Sequence, residues 1–441
     1  MSLHPVLAER LSTALEPLPA ARLTQREARL PELPGKAHAV IGMRRAGKTT
    51  FLRQLLAERR GEFPPERSIY LSFDDDRLAG IGADQLGFLL EEYFRRHPSL
   101  RGRHTAHWFL DEIQFVPGWE RFVRRVLDTE KIEVVVSGSS ARMLSREVHT
   151  SLRGRGLPTV IRPFSFREFL RHRDEEPKSE AQRWTSGERS LVEKRLGEFL
   201  MEGGFPEAQG LPAQLRIELL QAYVDTVLFR DVVERYEVTQ VAALRWVVRH
   251  CLRNPAGSFS VHRLHQDLKA QGHGLAKDAV HGMVGHLLDA FLISSVPLAT
   301  ESERQRNSNP RKFYPADPGL IRAFDASGRS NVGRALETAV ANELERRAMD
   351  IGYVKTTGGR EVDFLVRNPS GGTELVQVCA DLGNADTVAR ELQALADAGE
   401  EHPHAARRLI VLNSDGVGAV KAPGVTVQPA YEWLLQGAKV P

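Results

Sequence analysis

His38-Ala39-Val40-Ile41-Gly42-Met43-Arg44-Arg45-Ala46-Gly47-Lys48-Thr49 carries three structural instructions in a row. His38 to Ile41 is short and apolar, the pattern of a strand buried on both faces. Gly42 to Gly47 is a loop bounded by glycines, and a helical apolar pattern follows from Lys48 to Arg59. The loop fits G-x-x-x-x-G-K-[ST] at every defined position, with a strand before it and a helix after it. Each residue type there has a task. The glycines let backbone N–H groups curl around phosphate oxygens. Lys48 is spaced to reach the β- and γ-phosphates and Thr49 to offer its hydroxyl to Mg²⁺. The helix adds the positive end of its dipole. Arg44, Arg45, Ala46 and Thr50 complete the loop expected to hold the nucleotide, with ATP and Mg²⁺ as the expected ligands.

Outward from the loop, strands alternate with helices. Ser68 to Phe73 reads as a second strand, Leu86 to Phe94 as a helix, His107 to Leu110 as a third strand, and Trp119 to Leu127 as an amphipathic helix. Ile132 to Val136 is a fourth strand. This alternation predicts a parallel sheet with helices on both faces. The third strand ends in Asp111-Glu112. Asp111 is expected to hold the Mg²⁺ shell through water, and Glu112 to orient and polarise the attacking water. The fourth strand ends in Ser137-Gly138-Ser139-Ser140. Ser137 or Ser139 is suited to sensing the γ-phosphate there, and Ser139 is the catalytic candidate.

The bulk numbers narrow the class. The 441 residues suggest two to four domains, and 41% apolar with 27% charged is an ordinary globular balance. Two cysteines far apart, Cys251 and Cys379, argue against a disulfide framework and for a reducing, cytoplasmic setting. No run of about 18 apolar residues predicts a membrane span, and Met1 to Arg10 lacks the pattern of a signal peptide. The net charge of +3 names no partner.

Downstream, residues 171–190 are charged and polar, the composition of a linker or insertion, and Leu191 to Tyr236 is helical in pattern. From Ala242 to Pro315 the spacing predicts three helices and a hairpin whose strands hold Phe291-Leu292-Ile293 and Phe313-Tyr314. Arg304, Arg306, Arg311 and Lys312 lie on or beside that hairpin. Three helices and a basic wing suggest a winged helix. Such domains place a helix in the DNA major groove and grip phosphates with Arg and Lys. The same arrangement also serves as a helical connector or protein-docking module. The expected segments are a lead-in (1–36), an ATPase domain (37–170), a helical linker or lid (171–240), a winged-helix-like domain (241–330) and a C-terminal α/β domain (331–441).

The chain resembles one family, the prokaryotic AAA-type ATPases fused to a C-terminal domain of unknown function. The resemblance is carried by Arg44 in the loop, the acidic pair, Ser151-Leu152-Arg153-Gly154-Arg155, Pro163 to Phe169, and Gly203-Gly204-Phe205-Pro206. It continues through Phe229-Arg230-Asp231, Lys312-Phe313-Tyr314 with Asp317, Glu361-Val362-Asp363-Phe364, Gln377-Val378 and Tyr431 to Leu434. It implies an AAA-like core in which an arginine completes catalysis, with Arg153 and Arg155 as candidates. Action in trans would require a homo-oligomer, such as a ring.

The last segment resembles the restriction-endonuclease-like fold. There Glu337 and Asp363 match the metal-holding carboxylates, Gln377 matches a position taken by Glu or Gln, and Cys379 stands where a lysine is expected. A neutral thiol supplies no positive charge, so the resemblance implies a nuclease fold that has lost cleavage. Lys355 is the alternative source of the charge. The leading function is ATP hydrolysis coupled to DNA or a DNA-bound partner. The alternatives are a nucleotide-gated signalling or defence switch and a metal-dependent nuclease.

Overall fold

The computed structural model describes residues 2–16, 23–138, 152, 154–308, 310–325, 331–369, 371–415, 417–420 and 422–436. Chain contacts divide it into two compact units: residues 1–162 with 289–291, and 163–288 with 292–441.

The first unit is built on β1 (Ala37–Ile41), β2 (Ser68–Ser72), β3 (Ala106–Asp111), β4 (Ile132–Ser137) and β5 (Gly156–Val160). These strands form one parallel sheet in the order β2-β3-β4-β1-β5. Side chains alternate across the strands. One face buries Ala37, Ala39, Ile41, Trp108 and Leu110 against the helices Ala83–Arg96 and Trp119–Thr129. The other buries Val40, Phe109 and Val135 against Phe51, Leu52 and Leu56 of the helix Lys48–Glu62. Burying each such side chain contributes roughly 1.5–3 kcal/mol, so the helix that follows the loop is anchored along its length.

In the second unit the helices Phe166–His172 and Ser186–Glu202 both start with capping boxes, Ser165 with Glu168 and Thr185 with Glu188. The polar stretch 171–190, expected as a linker or insertion, belongs to this packing. Arg171 pairs with Glu176 at 2.6 Å and Arg195 with Glu175 at 2.5 Å. Next come the helix Ala213–Thr226, a π-helical continuation over Val227–Val233, and the helix Val241–Arg253. β6 (Ser258–Phe259), the helices Val261–Ala270 and Lys277–Asp289, β7 (Ile293–Val296) and β8 (Arg311–Pro315) follow, with an antiparallel sheet in the order β6-β8-β7.

The C-terminal sheet has the order β13-β12-β11-β10-β9, with β9 (Asp350–Lys355), β10 (Glu361–Arg367), β11 (Thr373–Cys379), β12 (Ala406–Val411) and β13 (Val425–Pro429). It is mixed: β9-β10-β11 pair antiparallel and β11-β12-β13 parallel. Phe364 and Val366 face the cluster containing Leu336 and Val340 of the helix Val332–Arg346. Leu365 and Leu375 face Ala394 and Leu395 of the helix Ala385–Glu401. The segments expected as separate winged-helix-like and C-terminal domains therefore share one compact unit.

Two motifs distant in sequence meet in this unit. Gly203 has φ of 78°, and a Cβ there would stand 1.8 Å from Asp317 Oδ1. Gly204 leaves no room for a side chain beside the Phe164 carbonyl, donates its N–H to Asp317 Oδ2 at 2.6 Å, and accepts the Phe164 N–H at 2.7 Å. Asp317 thus clamps the Gly203-Gly204 turn.

Candidate functional site

The loop lies at the carboxyl end of β1, the edge of a parallel sheet where ligands bind. Gly42 (φ 143°) and Gly47 (φ 99°) bend the backbone into regions that disfavour other side chains, and Arg45 (φ 65°) joins them. A Cβ on Gly42 would stand 2.1 Å from the Ile161 carbonyl oxygen. Lys48 is buried with its ammonium folded back into the loop, donating to the carbonyls of Gly42 (3.0 Å) and Met43 (3.1 Å). Arg44 and Ala46 lie in the bend, and Thr50 one residue beyond Thr49 on the helix.

β4 separates β1 from β3, so the acidic end of β3 stands across one strand from the loop. Asp111, 2% exposed, accepts hydrogen bonds from Thr49 Oγ1 at 2.8 Å, from Tyr70 Oη at 2.6 Å and from Ser137 Oγ. Burial, then Asp111, pushes the Tyr70 phenol up, which keeps it protonated and donating. Glu112 has φ of 53°, donates its N–H to Ser137 Oγ at 3.1 Å, and accepts a hydrogen bond from the Gln114 amide. Burial pushes its carboxyl up, and the neighbouring Lys48 ammonium pulls it back down. A hydroxyl and a carboxylate 2.8 Å apart beside a phosphate loop are the hard oxygen donors that Mg²⁺ takes. The donor set fits the ion: Thr49 and Asp111 would hold it, and it would neutralise charge on the terminal phosphates.

Ser139 and Arg153 lie outside the described residues. Ser137 is the described serine at this strand end that touches both acids. Arg155, open on sequence to action within its own chain or on another, lies away from its own loop. It precedes β5, whose Gly156 pairs with Ala37 at the start of β1, and its carbonyl accepts the Ala37 N–H. It therefore sits at the opposite end of the sheet from Gly42, six residues or roughly 20 Å away along the strand, with its guanidinium on Asp128.

Besides Tyr70, another residue at this site was not singled out from the sequence. Arg26, 3% exposed, donates to the Ala46 carbonyl at 3.0 Å and to the Arg162 carbonyl, gripping the loop from behind. It falls in the expected lead-in, where no motif marks it.

The C-terminal residues come together differently from expectation. Glu337 and Asp363 converge, but on Lys312 of β8, whose Nζ lies 3.2 Å from Glu337 Oε1, 2.9 Å from Asp363 Oδ1 and 2.8 Å from Glu361 Oε1. Lys312 was expected on a DNA-facing wing; it is 1% exposed and cannot reach a phosphate backbone. Gln377 Oε1 accepts the Asp363 N–H at 3.1 Å, while its amide donates to Glu391 at 2.7 Å. Cys379 packs in the apolar cluster with Leu395, its thiol directed at the Asp381 carbonyl. Lys355 is exposed at the end of β9. Of the other wing cations, Arg304 is exposed, Arg311 is half-buried, and Arg306 lies 3.9 Å from Asp350.

Comparison with known proteins bears on the same regions. A family model described as an AAA domain matches residues 34–170, and one described as a domain of unknown function (DUF8612) matches 193–331. An uncharacterized protein of Methanocaldococcus jannaschii, MJ1544, is 32% identical over 434 residues, covering 96% of this chain and 93% of that one. An uncharacterized Haemophilus influenzae protein is 26% identical over 402 residues, covering 90% and 94%. Among solved structures, the Aeropyrum pernix ORC1 protein in complex with DNA covers 73% of this chain and 91% of its own at 18% identity. Its TM-score of 0.28 is too slight a likeness to support a conclusion. Among the described residues, no helix is long and apolar enough to cross a membrane.

Proposed function

On the premise that this chain belongs to the AAA-type P-loop ATPases fused to a C-terminal domain of unknown function, we propose that it binds ATP with Mg²⁺ at Gly42–Thr50 and hydrolyses it. The observation that carries the reading is the convergence of Lys48, Thr49, Asp111, Glu112 and Ser137 at one sheet edge. Lys48 exchanges its two loop carbonyls for β- and γ-phosphate oxygens, keeping its charge compensated. Glu112 takes a proton from the attacking water, a role suited to a carboxyl that burial holds above its ordinary value. Ser137 fixes both acids, so the water's orienter and the metal's carboxylate move as one.

Arg155 stands too far from its own loop to act there, which supports action on the nucleotide of a second copy, hence a homo-oligomer. Arginine fingers supplied this way add roughly 10³–10⁵ in rate.

The helix-strand-helix-helix order over 241–289, followed by β7 and β8 joined through the short helix Glu303–Ser308, supports a winged helix and, with it, association with DNA. Exposed Arg304, on the short helix Glu303–Ser308, is the cation best placed to touch phosphate. The test is the ATPase rate with and without duplex DNA at two salt concentrations. Stimulation that fades with salt supports the DNA reading. A rate indifferent to DNA but altered by a protein or small ligand supports a nucleotide-gated switch.

A further inference from the structure

The fold that the last segment resembles holds a divalent cation between an aspartate and a neighbouring acid, with a lysine beside them. The residues present here do not fit that ion, because an ammonium already stands among the acids. Asp363 and Glu361 share one face of β10, two residues apart, and Glu337 projects from the helix Val332–Arg346. Lys312 enters from β8. Tyr314, two residues further on, comes in on the same side and donates to Glu337 Oε1 at 2.8 Å.

We propose that the Lys312 ammonium takes the place of the divalent cation, so that this centre is a closed joint fastening β8 to β10 and binds no metal. A lysine ammonium has three N–H donors. Three carboxylates surround it, at 2.8, 2.9 and 3.2 Å, one for each proton. No donor remains for a substrate phosphate or an attacking water. The oxygens a metal would need, Asp363 Oδ1 and Glu337 Oε1, are the ones engaged. A divalent ion binds oxygen at about 2.0–2.6 Å, so it would sit against the ammonium itself.

The rest of the cage is tied down as well. Asp363 Oδ2 accepts the Val378 N–H at 3.0 Å. Gln377 is a neutral amide bonded on both sides. Burial works against the Lys312 charge, but Asp363, Glu337 and Glu361 hold it firmly protonated.

Three acids around one ammonium leave a surplus of negative charge, and this gives the proposal its test. Removing the ammonium uncovers a carboxylate cage that a divalent ion can fill. Mn²⁺ is titrated into nucleotide-free, full-length protein in a Thr49→Ala background, which disables the P-loop metal position, and free Mn²⁺ is read by its electron spin resonance signal. The protein with Lys312 intact is expected to take up no Mn²⁺. Lys312→Met is expected to bind one Mn²⁺ per chain and to melt at a higher temperature as Mn²⁺ is added, because an ion that binds only the native state stabilises it. Adding Glu361→Gln, at the exposed rim of the cage, should weaken both effects.

Stoichiometric uptake with Lys312 intact, lost on Glu361→Gln, overturns the proposal. So does a folded Lys312→Met protein that ignores Mn²⁺. If Lys312→Met does not fold, the intact-lysine titration decides: no uptake sustains the joint, and Glu361-dependent uptake refutes it. The inference rests on neither nucleotide binding nor hydrolysis.

Discussion

The hydroxyl of Thr49 donates to Asp111 Oδ2 across 2.8 Å, joining the residue after the loop lysine to the acidic end of β3. Asp111 gathers two further hydroxyls, from Tyr70 and Ser137. Ser137 in turn receives the Glu112 N–H. Two motifs far apart in sequence are thereby one hydrogen-bonded assembly, and substitutions in it have separable consequences.

Replacing Glu112 with glutamine keeps shape and hydrogen bonding but removes the base. ATP affinity should stay within a few-fold of wild type while the steady-state rate falls by roughly 10²–10⁴. Phosphate release beside equilibrium binding on the same preparation checks this. Turnover at the wild-type rate would remove Glu112 from its assigned role.

Gly42→Ala places a Cβ 2.1 Å from the Ile161 carbonyl oxygen at a φ that disfavours any side chain. The loop must shift to admit it. The expected outcome is a lowered melting temperature together with a loss of ATP affinity. Gly61→Ala, where nothing lies within 4 Å of the added atom, should leave affinity untouched.

Arg155 supplies a test of assembly. If it completes the site of a second copy, Arg155→Ala and Glu112→Gln proteins, each inactive alone, should recover part of the wild-type rate when mixed. Recovery should grow with total concentration, since the pairing is between chains. No recovery at any ratio would exclude Arg155 as the arginine acting in trans.

Asp317 predicts a pH dependence of stability. Burial pushes its carboxyl from 3.8 up to about 7, against the pull of the Gly204 and Gly319 N–H bonds and Arg346. Between about pH 4 and 7 the native state therefore keeps a proton that the unfolded chain has released. With more protons bound in the native state, stability falls as pH rises through that window and levels off above it. Denaturant midpoints across pH should show this slope. Asp317→Ala should lower stability and flatten the curve.

The ATPase core was legible because its chemistry is local. β1 to β4 are largely apolar runs, and three of them end at the site: Gly42 after β1, Asp111 at the end of β3, Ser137 at the end of β4. β5 was not read as a strand. Gly156-Leu157-Pro158-Thr159-Val160 contains a proline that only an edge position tolerates, and β5 is an edge. In β9 a glycine, Gly352, is required because a Cβ would meet Ala299 at 3.0 Å.

Lys312 was misread because it follows Arg311 in a basic stretch. The available signal was its period-two partner Tyr314, which marks an inward-facing side of the strand rather than a wing surface. Arg26 left no signal, since its partners, the carbonyls of Ala46 and Arg162, are backbone atoms supplied by other parts of the chain.

The most direct test of the central claim is a calorimetric titration of ATP with Mg²⁺ into the full-length protein and into Lys48→Ala. The wild type should bind one nucleotide per chain. Lys48→Ala should bind roughly 10–100-fold more weakly, the loss of charge-assisted hydrogen bonds worth about 1.5–3 kcal/mol. No binding heat from folded wild-type protein at any temperature, or equal affinity in the two proteins, would contradict the account.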